Sequence, residues 1–218
     1  MTEDYSAINI KIVDNSGYRP TIDPTYVVLG MFNEYFGRLT GWSTPDLVER
    51  FYPKEEDTAR KFVTYLHEMA AQHHIETKID VSREPRGHWI ISSPELAKFL
   101  RDMYGEHGGI CESMFPSIPK RRRFQYEKEP VDCRFSYLLG AHLRYGKDNA
   151  FQFANASHKV DLIIAFLELL GADWISKAWT IDGAPTCVVI RFGPDEILAR
   201  LFGTKPAGFK TFEYIRSS

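Results

Sequence analysis

Histidine and cysteine are the residue types in this chain that could hold a transition metal, but their spacing does not favour a metal site. Cys111, Cys133 and Cys187 are widely separated and form no C-x-x-C pair. A zinc cluster is therefore not expected, and reduced thiols are the simplest state. His67 and His74 share one face of a predicted helix, but two turns separate them by roughly 10 Å. That distance is too long for two ligands of one metal ion.

A run of four cations, Lys120, Arg121, Arg122 and Arg123, is the second candidate for chemistry. It is the one dense positive cluster in a chain whose formal net charge is −2. Residues 1–104 contain 12 Lys and Arg against 16 Asp and Glu, so the acidic excess lies in the first half. Cations at this density can contact the phosphates of a nucleic acid, or they can form a solvated linker. The sequence leaves both interpretations open.

Hydrophobic periodicity and turn residues predict the elements that would position these groups. Helices are predicted at 25–37, 55–74, 94–104, 132–146, 158–171 and 195–202, with Thr44-Pro45 starting a further short helix in 44–51. Strands are predicted at 7–13, 75–84, 88–93, 150–157, 173–182 and 186–192. In the strand 75–84, one face should hold Ile75, Thr77, Ile79 and Val81. Ser157 should cap the helix at 158, and Phe209, Phe212 and Tyr214 should dock the C-terminal tail.

The composition, 44% hydrophobic and 14% aromatic, is that of a globular protein. No apolar run reaches the roughly 18 to 20 residues that a bilayer-spanning helix needs. The first residues are acidic and alternating, which is not the pattern of a signal peptide. We therefore expect a cytoplasmic protein without membrane contact.

The two halves repeat the same order of elements. Ile75 and Ile175 begin the two predicted hairpins, and Pro94 and Pro194 begin the last helices, each pair 100 residues apart. This ordered match favours an internal duplication. We expect a first repeat at 1–105, a connector at 106–130 that includes a short strand, and a second repeat at 131–218. Two copies in one chain would make homodimerisation unnecessary, so a monomer is expected.

The opening helices resemble the signature of the LAGLIDADG homing endonucleases. The segments VLGMFNEYF (28–36) and LLGAHLRYG (138–146) each have glycine at the third position of that motif, Gly30 and Gly140. Glycine inside a helix costs about 1 kcal/mol against alanine, so both need a reason. Close approach of two helix backbones is one, and the resemblance implies that Gly30 packs on Gly140. It also implies an α/β (α+β) fold of two tandem α-β-β-α units, related by a pseudo-twofold axis, whose antiparallel sheets form a saddle over DNA.

In the family, each of these helices ends in a carboxylate that holds Mg²⁺ for DNA cleavage. This chain has Tyr35 and Tyr145 at that position, and a phenol with a pKa near 10 is a poor ligand for a hard cation. Glu34 is a neighbouring acid, but about 100° around the helix from the motif position. The resemblance thus predicts a pseudoenzyme that has lost its catalytic acids and needs no cofactor, with Mg²⁺ required only if cleavage survives.

Three functions remain open. The first is a DNA- or RNA-binding protein, for which Lys177 and Arg191 are candidate contacts on the second sheet, together with the four cations of the connector. The second is an active magnesium-dependent endonuclease that uses a displaced acid such as Glu34. The third is a protein-interaction module, which the acidic first half favours.

Overall fold

The computed structural model describes residues 18–32, 46–104, 129–154, 159–180 and 187–207. In these ranges the helices are α1 Pro24–Met31, α2 Glu56–Gln72, α3 Pro94–Tyr104, α4 Val131–Tyr145, α5 Val160–Leu169 and α6 Glu196–Phe202. The strands are β1 Leu47–Phe51, β2 Asp80–Arg83, β3 Trp89–Ser92, β4 Gly146–Lys147, β5 Ala150–Phe153, β6 Ile175–Thr180 and β7 Cys187–Phe192. None of the helices described is long and apolar enough to cross a membrane.

The strands form two antiparallel sheets with matching topologies. The first sheet has the order β1-β3-β2 and the second has the order β4-β5-β7-β6. In the first sheet β1 precedes α2 and pairs with β3, the second strand of the hairpin that follows α2. In the second sheet β5 precedes α5 and pairs in the same way with β7. The mixed α/β class with two antiparallel sheets, predicted from the sequence, is confirmed.

Each sheet has one face covered by helices. On α2 the residues at three- and four-residue spacing, among them Phe62, Leu66 and Met69, are fully buried, as amphipathic periodicity predicts. In the second sheet Phe151, Ile190 and Phe192 are fully buried on the helix side. α1 begins as predicted, because the Asp23 carboxylate accepts the Thr25 N–H at 2.9 Å and Pro24 stands in the first turn.

Residues 46–51 do not form a helix, so the helix predicted for this segment was wrong. Leu47–Phe51 is strand β1 and pairs with β3, Leu47 opposite Ser92 and Phe51 opposite Trp89. The partner strand lies about 40 residues further along the chain, and local start signals carry no information about it.

Two predicted lengths were also wrong. α1 ends at Met31 rather than at residue 37, and Phe32 already has an extended backbone. In the segment 75–84 only Asp80–Arg83 is a strand, because β3 has four residues and offers no partner to 75–79. Ile75 and Ile79 are half-buried as predicted, but Val81 stands on an edge strand and is 48% exposed.

Several sequence predictions lie outside the described residues. They are the strand at 7–13, the motif residues Glu34 and Tyr35, the connector with its cations at 120–123, the Ser157 helix cap and the aromatic residues of the tail at 209–214. The boundaries of the two repeats also remain predictions, since the connector between Tyr104 and Glu129 is not described.

Candidate functional site

The candidate site is built on the contact between α1 and α4. A Cβ atom placed on Gly30 would lie 2.1 Å from the carbonyl oxygen of Tyr137, and one placed on Gly140 would lie 2.0 Å from the carbonyl oxygen of Val27. Gly30 Cβ would also lie only 3.0 Å from Gly140 Cα. The structure therefore brings the two helical glycines together, at a separation that no side chain could enter.

The C-terminal end of α1 is covered by a buried lysine from the second half of the chain. Lys159, the N-cap residue of α5, has no exposed surface. Its ammonium group donates to the carbonyl oxygens of Leu29 at 2.8 Å and Gly30 at 3.1 Å. These carbonyls lie in the last turn, at the negative end of the helix dipole, where a cation is stabilising.

Arg144, from the last turn of α4, covers the remaining carbonyl of α1. Its side chain is 1% exposed. One terminal nitrogen donates to the carbonyl of Met31 at 2.9 Å, and the other donates to the carbonyl of Arg50 at 3.0 Å. The guanidinium also lies 3.4 Å from a carboxylate oxygen of Glu49 and 3.3 Å from one of Glu55. One side chain of the second half thus ties α4 to α1, β1 and the start of α2.

Tyr145, at the eighth position of the second motif, belongs to the same cluster. Its hydroxyl lies 3.4 Å from the Met31 carbonyl oxygen, and its ring packs on Phe153 with centroids 4.9 Å apart. His142 lies one turn earlier, and burial lowers its pKa, so it adds no charge near neutral pH. We call Met31, Arg144, Tyr145 and Lys159 the helix-end junction.

The described residues of the helix-end junction do not fit a divalent metal ion. The two ionic groups that reach the carbonyls of α1 are cations, Arg144 and Lys159. The nearby carboxylates of Glu49 and Glu55 are both engaged by Arg144. In the described part of the chain, no group of three or more His, Cys, Asp or Glu side chains could hold a metal ion. A divalent cation would be repelled by both of these buried, positively charged side chains.

Arg144, Lys159 and Glu49 were not predicted from the sequence to be important residues. A sequence signal existed, because a charged residue at a position inside an otherwise apolar helix needs a buried partner. The partners lie about 90 to 130 residues away in the sequence, so local patterns could not identify them.

The face of the second sheet that points away from the helices is positively charged. Directly opposed residues of an antiparallel pair share a face. Arg191 lies opposite Ala150 and Ser176, and Lys147 lies opposite Ala150. Other strand positions on this open face are uncharged, among them Gln152, Ala178, Cys187 and Val189. Lys147 was missed from the sequence because β4 has only two residues.

The structure does not bring the two predicted contacts Lys177 and Arg191 together. Lys177 lies opposite Ile190, which is fully buried on the helix side of the sheet. Its ammonium group is 3.6 Å from the carboxylate of Asp161 on α5. Lys177 therefore belongs to the helix-covered face, and Arg191 belongs to the open face.

The open face of the first sheet is balanced in charge. Arg50, Ile90 and Ser82 form one row across it, and Ser92 and Asp80 form part of the next. Arg50 is paired with Glu84 at 2.5 Å, and Asp80 is paired with Lys78 at 2.7 Å. The excess of positive charge on the described strands is therefore confined to the second sheet.

Comparison with known proteins identifies the fold. No protein-family model and no curated protein sequence matches the chain. Among solved structures, a variant of I-DmoI in complex with its nicked target DNA and Mn superposes with a TM-score of 0.50 and 10% identity, covering 84% of this chain and 98% of that one. A mesophilic variant of the homing endonuclease I-DmoI gives a TM-score of 0.49 and 10% identity, covering 86% and 97% of the two chains. The predicted resemblance is thus confirmed as a likeness of fold: this chain has the two-domain architecture of the LAGLIDADG homing endonuclease I-DmoI.

Proposed function

We propose that this protein binds duplex DNA through the open face of its second sheet and does not cleave it. The observation that carries the proposal is the helix-end junction, where two buried cations from the chain stand among the carbonyls at the end of α1. The open-face cations Lys147 and Arg191 support the binding part.

The charge at the junction supports the loss of cleavage. Hydrolysis of a phosphodiester by a metal needs carboxylates that hold the ion and a water molecule on it. Tyr145 and Arg144 stand at the end of α4, and both donate toward the carbonyl of Met31. The buried guanidinium is itself held by two carboxylates. The junction is therefore a structural ion network that joins the two halves.

The fold and the open face support binding to DNA. The fold is one that I-DmoI uses in complex with its target DNA. On the second sheet, Lys147 and Arg191 project from strands on the face that none of the described helices covers. Cations on such a surface neutralise phosphates and release counterions, which supplies most of the affinity for duplex DNA.

A matched pair of variants tests the binding surface. Lys147→Ala combined with Arg191→Ala should weaken binding of a duplex to the full chain. The slope of log affinity against log salt should fall by roughly 1.8, or about 0.9 for each phosphate that the protein no longer neutralises. Lys177→Ala is the control, because Lys177 carries the same charge in the same sheet but faces α5. Fluorescence anisotropy at several salt concentrations measures both quantities.

Two outcomes would overturn the binding proposal. Equal losses of affinity in the double variant and in Lys177→Ala would mean that binding follows net charge rather than the open face. No binding of the parent protein at low salt would favour the protein-interaction alternative, for which co-purification of a partner without nucleic acid is the next test.

A cleavage assay tests the second part of the proposal. Supercoiled plasmid incubated with the protein and Mg²⁺ should remain intact. Magnesium-dependent cleavage that is abolished in Glu34→Gln would show instead that a displaced acid has taken over the reaction. We further propose that the protein acts as a monomer, with the two repeats at 1–105 and 131–218 joined by the connector.

A further inference from the structure

A small cavity opens in the first half of the molecule, where β1 ends and the β2–β3 hairpin turns. Its volume is about 240 Å³, and Arg50, Phe51, Tyr52, Arg86 and His88 line it. Pockets for drug-sized molecules begin at roughly 300 Å³. This cavity therefore suits one small polar group rather than a whole metabolite.

The hairpin turn holds two of the lining residues in a defined place. The Gly87 N–H donates to the Glu84 carbonyl at 2.7 Å, and the Glu84 N–H donates to the His88 carbonyl at 2.9 Å. Gly87 has a φ of +82°, and a Cβ atom there would lie 3.3 Å from Pro53. A turn with a left-handed glycine against Pro53 thus places Arg86 and His88 beside the end of β1.

Two lining residues of the cavity, Arg50 and His88, are oriented by hydrogen bonds. Arg50 donates to a carboxylate oxygen of Glu84 at 2.5 Å and lies 3.2 Å from Nδ1 of His88. A guanidinium can only donate, so Nδ1 of His88 accepts and its ring proton resides on Nε2. The Tyr52 ring packs on the imidazole with centroids 5.5 Å apart.

Every polar side chain that lines the cavity can donate a hydrogen bond. They are two guanidinium groups, an imidazole N–H and a phenol, and Glu84 balances only one positive charge. In the described part of the chain no carboxylate lies within ion-pair distance of Arg86. Such a lining is suited to an oxyanion, since arginine binds phosphate oxygens through paired hydrogen bonds.

We propose that this cavity is a phosphate-binding site, in which Arg86 supplies the charge that is not already paired and Arg50, His88 and Tyr52 supply positioned donors. The site goes beyond the proposed DNA-binding surface, because Arg86 and His88 belong to the hairpin of the first sheet, whereas Lys147 and Arg191 belong to the second. The phosphate could be part of a nucleic-acid backbone or of a free phosphate ion or monoester. Both sources would bind through the same chemical group, a phosphate.

Calorimetric titration of the full chain with inorganic phosphate, at constant ionic strength, tests the site. We expect saturable binding that Arg86→Ala weakens about tenfold, the loss expected for one charge-assisted hydrogen bond. Arg60→Ala is the control, since Arg60 is an exposed arginine on α2 whose side chain is 72% exposed. Arg86 is exposed at a turn, so its replacement should leave the fold intact, and thermal melting of both variants verifies this.

A competition experiment with duplex DNA distinguishes the two sources of phosphate. If phosphate competes with duplex DNA and Arg86→Ala weakens both, the natural ligand group is a backbone phosphate. If Arg86→Ala weakens phosphate but leaves duplex binding unchanged, the site takes a free phosphate or monoester. The site is refuted if the parent does not bind phosphate, or if Arg60→Ala and Arg86→Ala behave alike. These two refuting results come from inorganic phosphate alone, so they can occur whether or not the second sheet binds DNA.

Discussion

The contact between α1 and α4 leads to a prediction whose size can be worked out from the structure. In Gly140→Ala the new methyl group would lie 2.0 Å from the carbonyl oxygen of Val27, with the Val27 carbonyl carbon at 2.8 Å and its Cα at 2.9 Å. All three atoms belong to the backbone of α1, so no side-chain rotation can relieve the overlap. The helices would have to separate by about 1 Å or more to reach ordinary contact.

Two effects oppose each other in this variant. Alanine is favoured over glycine in a helix by about 1 kcal/mol. Overpacking of a filled contact costs roughly 1–3 kcal/mol and occasionally more, and a backbone-to-backbone overlap belongs at the upper end. We expect Gly140→Ala to lower the free energy of unfolding by about 2 kcal/mol, which corresponds to a fall in Tm of roughly 4–8 °C for a chain of this size. Gly140→Leu should lower it further.

Urea denaturation followed by circular dichroism measures this decrease in stability. Gly171 provides the control, because it has a φ of +79° and a Cβ there would meet nothing within 4 Å. Replacing Gly171 with alanine or with leucine should therefore lower the free energy of unfolding by about the same amount, roughly 1–2 kcal/mol for the left-handed backbone alone. At position 140 the cost should grow with side-chain size. A Gly140→Ala protein as stable as the parent, or equal costs for Ala and Leu at 140, would refute the close packing.

Three further predictions concern charge. Arg144→Met should destabilise the protein by about 3–5 kcal/mol, because the fully buried Glu49 carboxylate loses its ion pair with the Arg144 guanidinium. Adding Glu49→Gln should restore part of the stability in the same denaturation assay, and an unrestored double variant would mean that Arg144 acts mainly through the backbone carbonyls. Calorimetry with Mg²⁺ or Mn²⁺ should show no stoichiometric binding at the helix-end junction, and binding that disappears in Glu34→Gln would contradict this. Replacing the four connector cations at 120–123 with alanine should weaken binding to every DNA sequence about equally and reduce the salt slope, whereas an unchanged slope would indicate a solvated linker.

The sequence was informative wherever a local pattern reflects burial. The helices predicted at 55–74 and 195–202 correspond to α2 and α6, apart from one or two residues at the ends. Helical glycine at 30 and 140 predicted a close helix pair for a physical reason, since glycine is unfavourable in a helix unless something needs the space.

The tertiary structure determines which charged side chains form ion pairs. A strand such as β1 forms because β3 pairs with it, and α1 ends where Lys159 and Arg144 from the other half reach its carbonyls. The face to which Lys177 points depends on the register of β6 against β7, and a one-residue shift would reverse it. Hydrophobic periodicity is a property of neighbouring residues, and therefore the sequence alone determined the elements. Ion pairing and strand register depend on residues far apart in the chain, and therefore only the folded structure determined the helix-end junction and the open face.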